Sequence, residues 1–340
     1  MARTIHVATH FGDAGATLGR MNDVLVIGNC AVDILVGPLD DWPAPGGTRA
    51  LNEMTIASGG CALNVAAALG RLGVGADLVT RVGADQFGKF LLDELEACEV
   101  DTSGVVVDPD AATPMTIVTI STDGQRSFLH HRGTNDRIRR TDVLRVPLER
   151  RRYVIVSGAM VMAGLDGEPT AEVLAAAKLA GVTTLLDTVF VDDRSTEQWC
   201  KLLDPVLPHV DIFCPSLEEG RRITNQTEAV DVVRALIDKG ARSVALKVGE
   251  HGAFVKDRDG RESHVAGFPA RPVDTTGAGD CFCAGLIAGL RRGGSLAEAA
   301  RIGNAVARRS VLSTGATDGV PRLDDVLEML PPSTEAPPRA

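Results

Sequence analysis

The chain has 340 residues, of which 44% are apolar and 24% charged, and its formal net charge at pH 7 is −10. This length can bury the core of one large α/β domain, with or without a smaller appendage. No stretch approaches the roughly 18 uninterrupted apolar residues of a membrane helix. The acidic balance disfavours a general binder of nucleic acid or anionic membranes, because phosphate affinity comes mainly from lysine and arginine. The arginine-rich residues 137–152 are expected to form a solvated basic surface.

The two ends of the chain are expected to lie outside the fold. Residues 1–21 lack the continuous apolar segment of a secretory signal, so we expect a disordered extension there, and residues 331–340 resemble a disordered tail. The seven cysteines are an odd number without a CxxC pair, which predicts free thiols in a reducing compartment. A cytoplasmic location is therefore expected.

Between these ends, most of the sequence alternates apolar runs with helical patterns. Residues 23–28 predict the first strand, and the alanine-rich residues 61–73 predict a helix that ends at a glycine. We interpret ADLVTRVG (76–83) as one strand and residues 87–98 as a helix. The pattern continues in RYVIVSG, EPTAEVLAAAKLAG, VTTLLD, HVDIFCP and ARSVALKVG. Because strands that are apolar throughout are typical of parallel sheets covered on both faces, the sequence predicts an α/β fold with a doubly wound, mainly parallel sheet.

Two segments, residues 32–57 and 112–132, break this alternation and favour strands without a following helix. The second contains Asp123-Gly124 between β-forming runs, which is a strong hairpin signal. We expect the two segments to form a small discontinuous β lid. The α/β core beneath it would comprise residues 22–31, 58–111 and 133–330.

Two familiar glycine-rich patterns are incomplete in this chain. Gly83 to Lys89 has the GxxxxGK spacing of a P-loop, but Phe90 stands where that loop needs a hydroxyl to hold Mg²⁺. The dinucleotide pattern GxGxxG that starts at Gly277 has Phe282 in place of its third glycine. A P-loop NTPase and an NAD-dependent dehydrogenase are therefore disfavoured.

The sequence DTTGAGDCF lies at the start of a helix predicted from about Ala278 to Arg292. A helix N-terminus presents backbone N–H groups without intrahelical partners, so Gly277, Ala278 and Gly279 predict an anion site. Asp280, on the first turn, is placed to accept a proton from a substrate hydroxyl beside the anion. The alternative is an aspartate that only complements the helix dipole.

A second helix is also opened by glycines, in the sequence SGGCALNVAAALGRLG. Gly59 and Gly60 precede Asn64, whose amide can both donate and accept hydrogen bonds to a polyhydroxylated ligand. Asp33, just after the first strand, completes a polar set that suits a sugar. Each residue also has an ordinary explanation: the glycines as a turn, Asn64 as a helix-surface residue and Asp33 as a turn former.

Six sequences together resemble, in order and spacing, the PfkB or ribokinase-like carbohydrate kinase family: GGCALNVAAALGRLG, GADQFGKFL, CPSLEEG, KVGEHGA, DTTGAGDCFCAG and GNAVARRSVLSTGA. The resemblance covers about Asn22 to Leu330, and its DTTGAGD and GGxxxNxA elements are specific. It implies an ATP-dependent kinase for a hydroxyl of a small sugar or nucleoside, with Mg²⁺ and K⁺ as cofactors. It also implies that the β lid doubles as a homodimer interface.

The resemblance further implies roles for individual residues. Asp280 resembles the family's catalytic base. The family's anion hole for the γ-phosphoryl group corresponds to Gly277, Ala278 and Gly279. The implied substrate contacts are Asp33, Gly59, Gly60 and Asn64. The implied nucleotide contacts are Ser216, Lys247, Gly249, Gly252 and Asn304. The implied monovalent-cation site comprises Asp274, Thr276, Ser313 and Gly315, so potassium is expected to raise turnover.

One motif departs from the family. Its Mg²⁺-associated NxxE appears here as Ser216-Leu217-Glu218-Glu219, with Ser in place of Asn. Glu219 keeps the acidic position, and Mg²⁺ commonly binds through waters and few carboxylates, so we expect Glu219 to hold Mg²⁺ through water. The alternative for Glu219 is an ordinary acid in the first turn of a helix.

A sugar kinase is the leading hypothesis, and a nucleoside kinase of the same family is the alternative. Asp187 is expected to shape the pocket, but it does not specify a sugar. Tyr153 is the only tyrosine, which disfavours recognition by base stacking, although Phe128 and Phe190 remain available for it. A non-catalytic sugar sensor is a second alternative, and that function has no use for Asp280.

Overall fold

The computed structural model describes residues 22–331 except residues 52, 124, 192 and 193. The predicted extension (1–21), residues 332–340 of the tail and Gly124 of the hairpin lie outside the described residues. The described strands are β1 (Val24–Gly28), β2 (Ala31–Gly37), β3 (Glu53–Gly59), β4 (Asp77–Val79), β5 (Arg81–Gly83), β6 (Val106–Asp108), β7 (Met115–Ile120), β8 (Arg126–His131), β9 (Tyr153–Ala159), β10 (Thr183–Thr188), β11 (Ile212–Phe213), β12 (Val244–Lys247), β13 (Gly252–Lys256) and β14 (Glu262–Ala266). The described α-helices are α1 (Cys61–Arg71), α2 (Gln86–Ala97), α3 (Arg140–Val143), α4 (Glu168–Leu179), α5 (Thr196–Leu203), α6 (Leu217–Thr224), α7 (Ala229–Asp238), α8 (Ala278–Arg291), α9 (Leu296–Ser310) and α10 (Leu323–Glu328).

A large sheet with the order β14-β13-β12-β11-β10-β9-β1-β4 forms the centre of the fold. From β4 to β12 every neighbouring pair is parallel, and β13 and β14 extend the sheet antiparallel at one edge. Every residue of β1 and β9 is buried, as expected for strands covered on both faces. The predicted fold class, a doubly wound and mainly parallel α/β sheet with a small additional sheet, is confirmed.

Helices cover both faces of the large sheet. One apolar cluster packs α1, α2, α8 and α9 against one face, and a second cluster packs α4 to α7 against the other. Ligands of such sheets bind outside the carboxyl ends of the strands. Asp187 lies near the end of β10 and Lys247 is the last residue of β12, so both are placed at that edge.

The two segments that interrupt the α/β alternation form a separate four-stranded sheet with the order β3-β2-β7-β8. Its register pairs Asp33 with Thr116 and Thr116 with His130, which places these three side chains on one face. Arg126 and Phe128 precede His130 at alternate positions of β8 and therefore lie on the same face. We call this four-stranded sheet the second sheet, and this side of it the Asp33 face.

The prediction of one strand over residues 76–83 is wrong. The chain forms β4, which pairs with β1 in the large sheet, and then β5, which pairs with β6 in a two-stranded sheet. Between them the buried Thr80 donates its hydroxyl to the Cys30 sulfur at 3.4 Å. The Arg81 Nε donates to Oδ2 of Asp142 at 2.7 Å. Tertiary contacts thus divide a run whose local pattern is continuous.

The arginine-rich residues 137–152 are only partly a solvated surface. Arg151 is buried and pairs with Asp77 at 2.5 Å, whereas Arg152 is more exposed and lies near Asp23. Carboxylates thus neutralise charges that an anionic partner would need. Of the helices described, none combines the length and apolar character needed to cross a bilayer.

Candidate active site

The DTTGAGD sequence forms a tight turn at the start of α8. Gly277 is the N-cap residue, with φ 70° and ψ 2°, which is the left-handed region that favours glycine. A β-carbon at Gly277 would lie 2.6 Å from the Ala316 Cβ, so a side chain has no room there. The backbone turn directs the start of α8 toward a cavity of about 610 Å³, which Ala278 and Gly279 line.

The predicted set of three free N–H groups needs one correction. The Ala278 N–H already donates to the Thr275 carbonyl oxygen at 3.3 Å, which is a long bond. Ala278 is therefore a poorer anion donor than the sequence indicated. Gly279, at the second position of the helix, keeps the geometry in which an N–H has no intrahelical acceptor.

Asp280 is almost completely buried in the first turn of α8, with 8% of its surface exposed. Its Oδ2 accepts a hydrogen bond from the Asn64 side-chain amide at 2.8 Å. Burial, and then the negative charge of Asp187, raise the pKa of the Asp280 carboxyl to about 7. A carboxylate with such a pKa is well matched to take up a proton near neutral pH.

Lys247 brings a positive charge beside this turn. Its Nζ donates to Oδ1 of Asp187 at 2.5 Å, and it would lie 3.2 Å from a β-carbon built on Gly279. Burial alone lowers the pKa of the Lys247 ammonium, but the charge of Asp187 outweighs this and holds it well above its ordinary value. A permanent cation thus lies against the start of α8.

The predicted substrate residues lie in one connected group. Gly59 makes room for Asp33, because a β-carbon there would be 2.3 Å from the Asp33 Oδ2. Gly60, with φ 92°, is the N-cap residue of α1, and its carbonyl accepts the Asn64 N–H at 2.9 Å. Asn64 in turn contacts Asp280, and its own Oδ1 is buried without a partner among the described residues. The group therefore joins the second sheet to the proposed base and leaves a hydrogen-bond acceptor available.

The predicted nucleotide residues Lys247, Gly249, Gly252 and Asn304 all line the cavity of about 610 Å³. Gly252 has φ 96°, and a β-carbon there would lie 2.2 Å from the Val265 carbonyl oxygen. The Asn304 amide donates to the carbonyls of Val265 and Ala266, at 3.0 and 3.2 Å. Asn304 therefore also holds the end of β14 as a wall of the cavity.

Ser216 and Glu219 form a reciprocal cap at the start of α6. The Glu219 carboxylate accepts the Ser216 N–H at 2.7 Å, and the Ser216 hydroxyl accepts the Glu219 N–H at 3.3 Å. The Ser216 side chain is thus used by the helix. Burial raises the pKa of the Glu219 carboxyl above its ordinary value, although the nearby Lys247 charge opposes this shift.

Oxygen ligands for Mg²⁺ are present at the same edge. Atoms of Asp187, Asp280 and the Cys61 thiol lie within 4.8 Å of one another, and Glu219 interacts electrostatically with Asp187. Carboxylates with water are the ligands that Mg²⁺ prefers. Asp187 already accepts the Lys247 ammonium and the Ser157 hydroxyl, at 2.5 and 3.2 Å, and Glu219 caps α6, so both carboxylates would hold such an ion through water.

The predicted monovalent-cation site is filled by a protein group. Oδ1 of Asp274 accepts hydrogen bonds from the Arg126 Nη2 at 2.9 Å and from the Thr276 N–H at 2.9 Å, and Oδ2 accepts the Gly315 N–H at 3.2 Å. The Ser313 N–H donates to the Ser310 carbonyl oxygen at 3.3 Å, so it is not one of the donors to Asp274. Both Asp274 oxygens thus have protein donors, and the Arg126 guanidinium supplies positive charge at the position predicted for a monovalent cation.

Several features of the site were missed by sequence reasoning. Arg126 lies in a strand pattern without a distinguishing motif, and the Asp187–Lys247 pair joins residues 60 positions apart. The loop after β14 supplies part of the cavity wall, through Phe268, Pro269, Ala270 and Pro272. Of the two phenylalanines considered for base stacking, Phe190 already stacks on Trp199, with ring centroids 4.4 Å apart. Phe128 is 64% exposed on the Asp33 face.

Comparison with known proteins identifies the family of this chain. Residues 21–323 match the family described as pfkB family carbohydrate kinase. The chain belongs to this family. The predicted family and the predicted enzyme class, a carbohydrate kinase, are confirmed.

Individual relatives extend over nearly the whole chain. Fructokinase-1 of Zea mays is 31% identical, over 81% of this chain and 88% of its own length. A ribokinase of Staphylococcus aureus is 25% identical, over 90% of this chain and 98% of its own length. The structure of Arabidopsis thaliana ribokinase complexed with ribose and ATP superposes with a TM-score of 0.81 at 26% identity, covering 91% of this chain and 98% of that one.

Proposed function

We propose that this carbohydrate kinase transfers the γ-phosphoryl group of ATP to a hydroxyl of a small sugar or sugar derivative. The observation that carries the proposal is the position of Asp280. This buried carboxylate has a raised pKa, contacts Asn64 of the predicted substrate group, and lies one residue beyond Gly279 at the wall of the large cavity. A base and an anion site thus meet at one helix N-terminus.

In the proposed reaction, Asp280 accepts the proton of the substrate hydroxyl. The hydroxyl oxygen forms a bond to the γ-phosphorus, the bond between that phosphorus and the β–γ bridging oxygen breaks, and its electron pair leaves with ADP. Phosphoryl transfer needs positioning and charge stabilisation more than covalent help from the protein. Asn64 orients the Asp280 carboxylate, and Asp33 and Gly59 define where the sugar lies.

The start of α8 and Lys247 supply positive charge to the transferred group. The Gly279 N–H and the helix dipole favour negative charge, and the Lys247 ammonium lies against Gly279. Asp187 holds Lys247 in place through their 2.5 Å ion pair. Asp187 and Glu219 would hold Mg²⁺ through water, and the ion would neutralise charge on the ATP phosphates. The cavity lined by Gly249, Gly252 and Asn304 is the proposed nucleotide site.

The second sheet is the proposed lid, formed by residues 32–57 and 112–132 over a core of residues 22–31, 58–111 and 133–330. Its Asp33 face contributes one substrate residue directly, and a covering sheet excludes water that competes with the sugar as acceptor. Phe128 on this face favours a second candidate substrate, a nucleoside, because an exposed ring offers a stacking surface for a base.

ADP release with ribose, fructose, keto-deoxy sugar acids and nucleosides tests the proposed function. We expect a sugar or sugar acid to be phosphorylated with the highest kcat/KM. The named activities of the ribokinase and fructokinase relatives make ribose and fructose the first substrates to assay. Preference for a nucleoside would favour the second candidate, and no ADP release above the water reaction with any acceptor would contradict kinase activity.

A homodimer through the second sheet is also proposed. Opposite the Asp33 face, the register aligns Ile56, Ile34, Ile117 and Leu129 in an apolar row. Ile56 and Leu129 remain more than half exposed, which suits burial against a second copy. A sedimentation mass of one chain at micromolar concentration would contradict this. The seven cysteines are all free, consistent with the proposed cytoplasmic location.

A further inference from the structure

Arg126 connects the second sheet to the turn before the proposed anion hole. It is the first residue of β8, and its guanidinium reaches Asp274, 148 positions along the chain. Nη2 donates to Oδ1 of Asp274 at 2.9 Å, and Nη1 donates to Oγ1 of Thr276. One side chain of the second sheet therefore holds two of the three residues that precede Gly277.

Asp274 joins the backbone segments that shape this turn. Its Oδ1 also accepts the Thr276 N–H and hydroxyl, at 2.9 and 2.7 Å, and its Oδ2 accepts the Gly315 N–H at 3.2 Å. The next residue, Ala316, packs against Gly277. The carboxylate thus fixes the two loops whose separation sets the conformation at the start of α8.

This carboxylate needs a positive partner, because an isolated buried charge is strongly unfavourable. Asp274 is 5% exposed. Burial alone raises the pKa of the Asp274 carboxyl, but hydrogen bonds from Thr276 and Gly315 and the charge of Arg126 outweigh it and hold the pKa below its ordinary value. Asp274 is therefore ionised at neutral pH, and the guanidinium supplies the balancing charge.

We propose that Arg126 is a positioning residue that acts as a built-in monovalent cation and makes turnover independent of added potassium. The inference rests on the proposed phosphoryl transfer, since the turn that Arg126 holds is the proposed anion hole. The Asp33 face carries both Arg126 and Asp33, so the sheet that contacts the sugar also orders the phosphate-binding turn. Binding at the lid and order at the anion hole are thereby linked through one ion pair.

The test compares wild-type protein, Arg126→Ala and the control Arg258→Ala in potassium chloride and in tetramethylammonium chloride of equal ionic strength. Arg258 is exposed and lies 3.9 Å from Asp259 in the turn between β13 and β14. We expect wild type and Arg258→Ala to have equal kcat in both salts. For Arg126→Ala in tetramethylammonium, kcat should fall at least about tenfold, because charge-assisted hydrogen bonds to a buried group are lost. Potassium or methylguanidinium should restore most of it by filling the vacated position.

The melting temperature gives a readout that needs no turnover. Arg126→Ala should melt at a higher temperature in potassium than in tetramethylammonium, whereas the wild type should show no difference. If no acceptor is phosphorylated, the proposed function fails, but this comparison still decides the role of Arg126. Arg126→Gln, which keeps more of the side-chain volume, replaces Arg126→Ala if that variant does not fold.

Three outcomes would overturn the inference. The first is a wild-type enzyme whose kcat is severalfold higher, and whose melting temperature is several degrees higher, in potassium than in tetramethylammonium. The second is full turnover of Arg126→Ala in tetramethylammonium. The third is a loss in Arg126→Ala that neither potassium nor methylguanidinium restores in kcat or melting temperature, because that result indicates a purely structural contact.

Discussion

Two glycine-containing helix starts, those of α2 and α8, look alike in sequence and differ in structure. At α2, Asp85 is the N-cap residue, and its Oδ1 accepts the Gly88 N–H at 2.8 Å and the Thr113 hydroxyl at 2.6 Å. At α8, the N-cap residue is Gly277, which has no side chain to accept a hydrogen bond. The first helix end is thus satisfied by its own protein, whereas the second remains available to a ligand.

The lysines near these helix starts differ in the same way. Lys89 of the GxxxxGK pattern is exposed and pairs with Asp93 one turn along α2, at 2.8 Å. Lys247 is the last residue of β12, keeps only 15% of its side chain exposed, and lies against Gly279. Glycine spacing therefore does not by itself make a phosphate site; the position of the acidic and basic side chains decides it.

The largest expected effect is that of Asp280→Asn. This variant keeps the size of the side chain but cannot accept a proton at neutral pH, so kcat should fall at least about 100-fold, the lower range for positioned base catalysis. ATP affinity should change little, because the proposed nucleotide contacts are the α8 backbone and Lys247. Steady-state kinetics, nucleotide binding and melting temperature check this. A folded, ATP-binding variant with more than about a tenth of normal turnover would contradict the role of Asp280 as general base.

Lys247→Met should have the next largest effect. Loss of a charge-assisted contact to the transferred phosphate predicts a fall in kcat/KM for ATP of about 10- to 100-fold. Lys89→Met is the matched control and should retain wild-type kinetics. Because Lys247→Met also leaves Asp187 buried without its partner, the double variant with Asp187→Asn should recover stability. Its rate should stay low, because it lacks both the Lys247 charge and a proposed Mg²⁺ carboxylate, and recovery of rate would contradict both roles.

The pH dependence of catalysis should show the titration of Asp280 and no titration of Asp85, the aspartate at the start of α2. Since only the carboxylate of Asp280 accepts a proton, and its pKa is raised to about 7, kcat/KM for the sugar at saturating ATP should fall about tenfold per pH unit below 7 and level off above it. Burial raises the pKa of Asp85, but hydrogen bonds from Thr113 and Gly88 outweigh it and lower the pKa, so Asp85 stays ionised across this range. A profile that is flat between pH 5.5 and 8 is incompatible with Asp280 as the base.

The smallest effect is expected at the α2 cap. Asp85→Ala removes the acceptor for Gly88 and should lower the free energy of unfolding by about 1–2 kcal/mol, the upper range for loss of an N-cap. The kinetic constants should remain those of the wild type, because this helix end faces Thr113 rather than the cavity. Urea unfolding combined with the standard assay tests both statements. A large loss of ATP affinity would instead indicate that α2 binds nucleotide.

Much of the fold was predictable because its signals are local. The wholly buried strands β1 and β9 appear in the sequence as apolar runs, and α8 was predicted to end at Arg292, one residue beyond its observed end. Residues 76–83 are the exception. Their apolar pattern is continuous, but β4 and β5 pair with different partners, and pairing is a tertiary property.

For the site, the sequence alone determined the family, the glycines that the turns require and the position of Asp280 in the first turn of α8, because each depends on residue types at short, fixed spacing. The tertiary structure decided which charges meet. Lys247 pairs with Asp187, and Arg126 reaches Asp274 from an otherwise ordinary strand. These contacts depend on strand order, on the register that turns Arg126 toward the core, and on burial, which makes an unpaired carboxylate unfavourable. At the predicted potassium site, the residues were identified from their spacing, and the structure places a guanidinium from the second sheet against them.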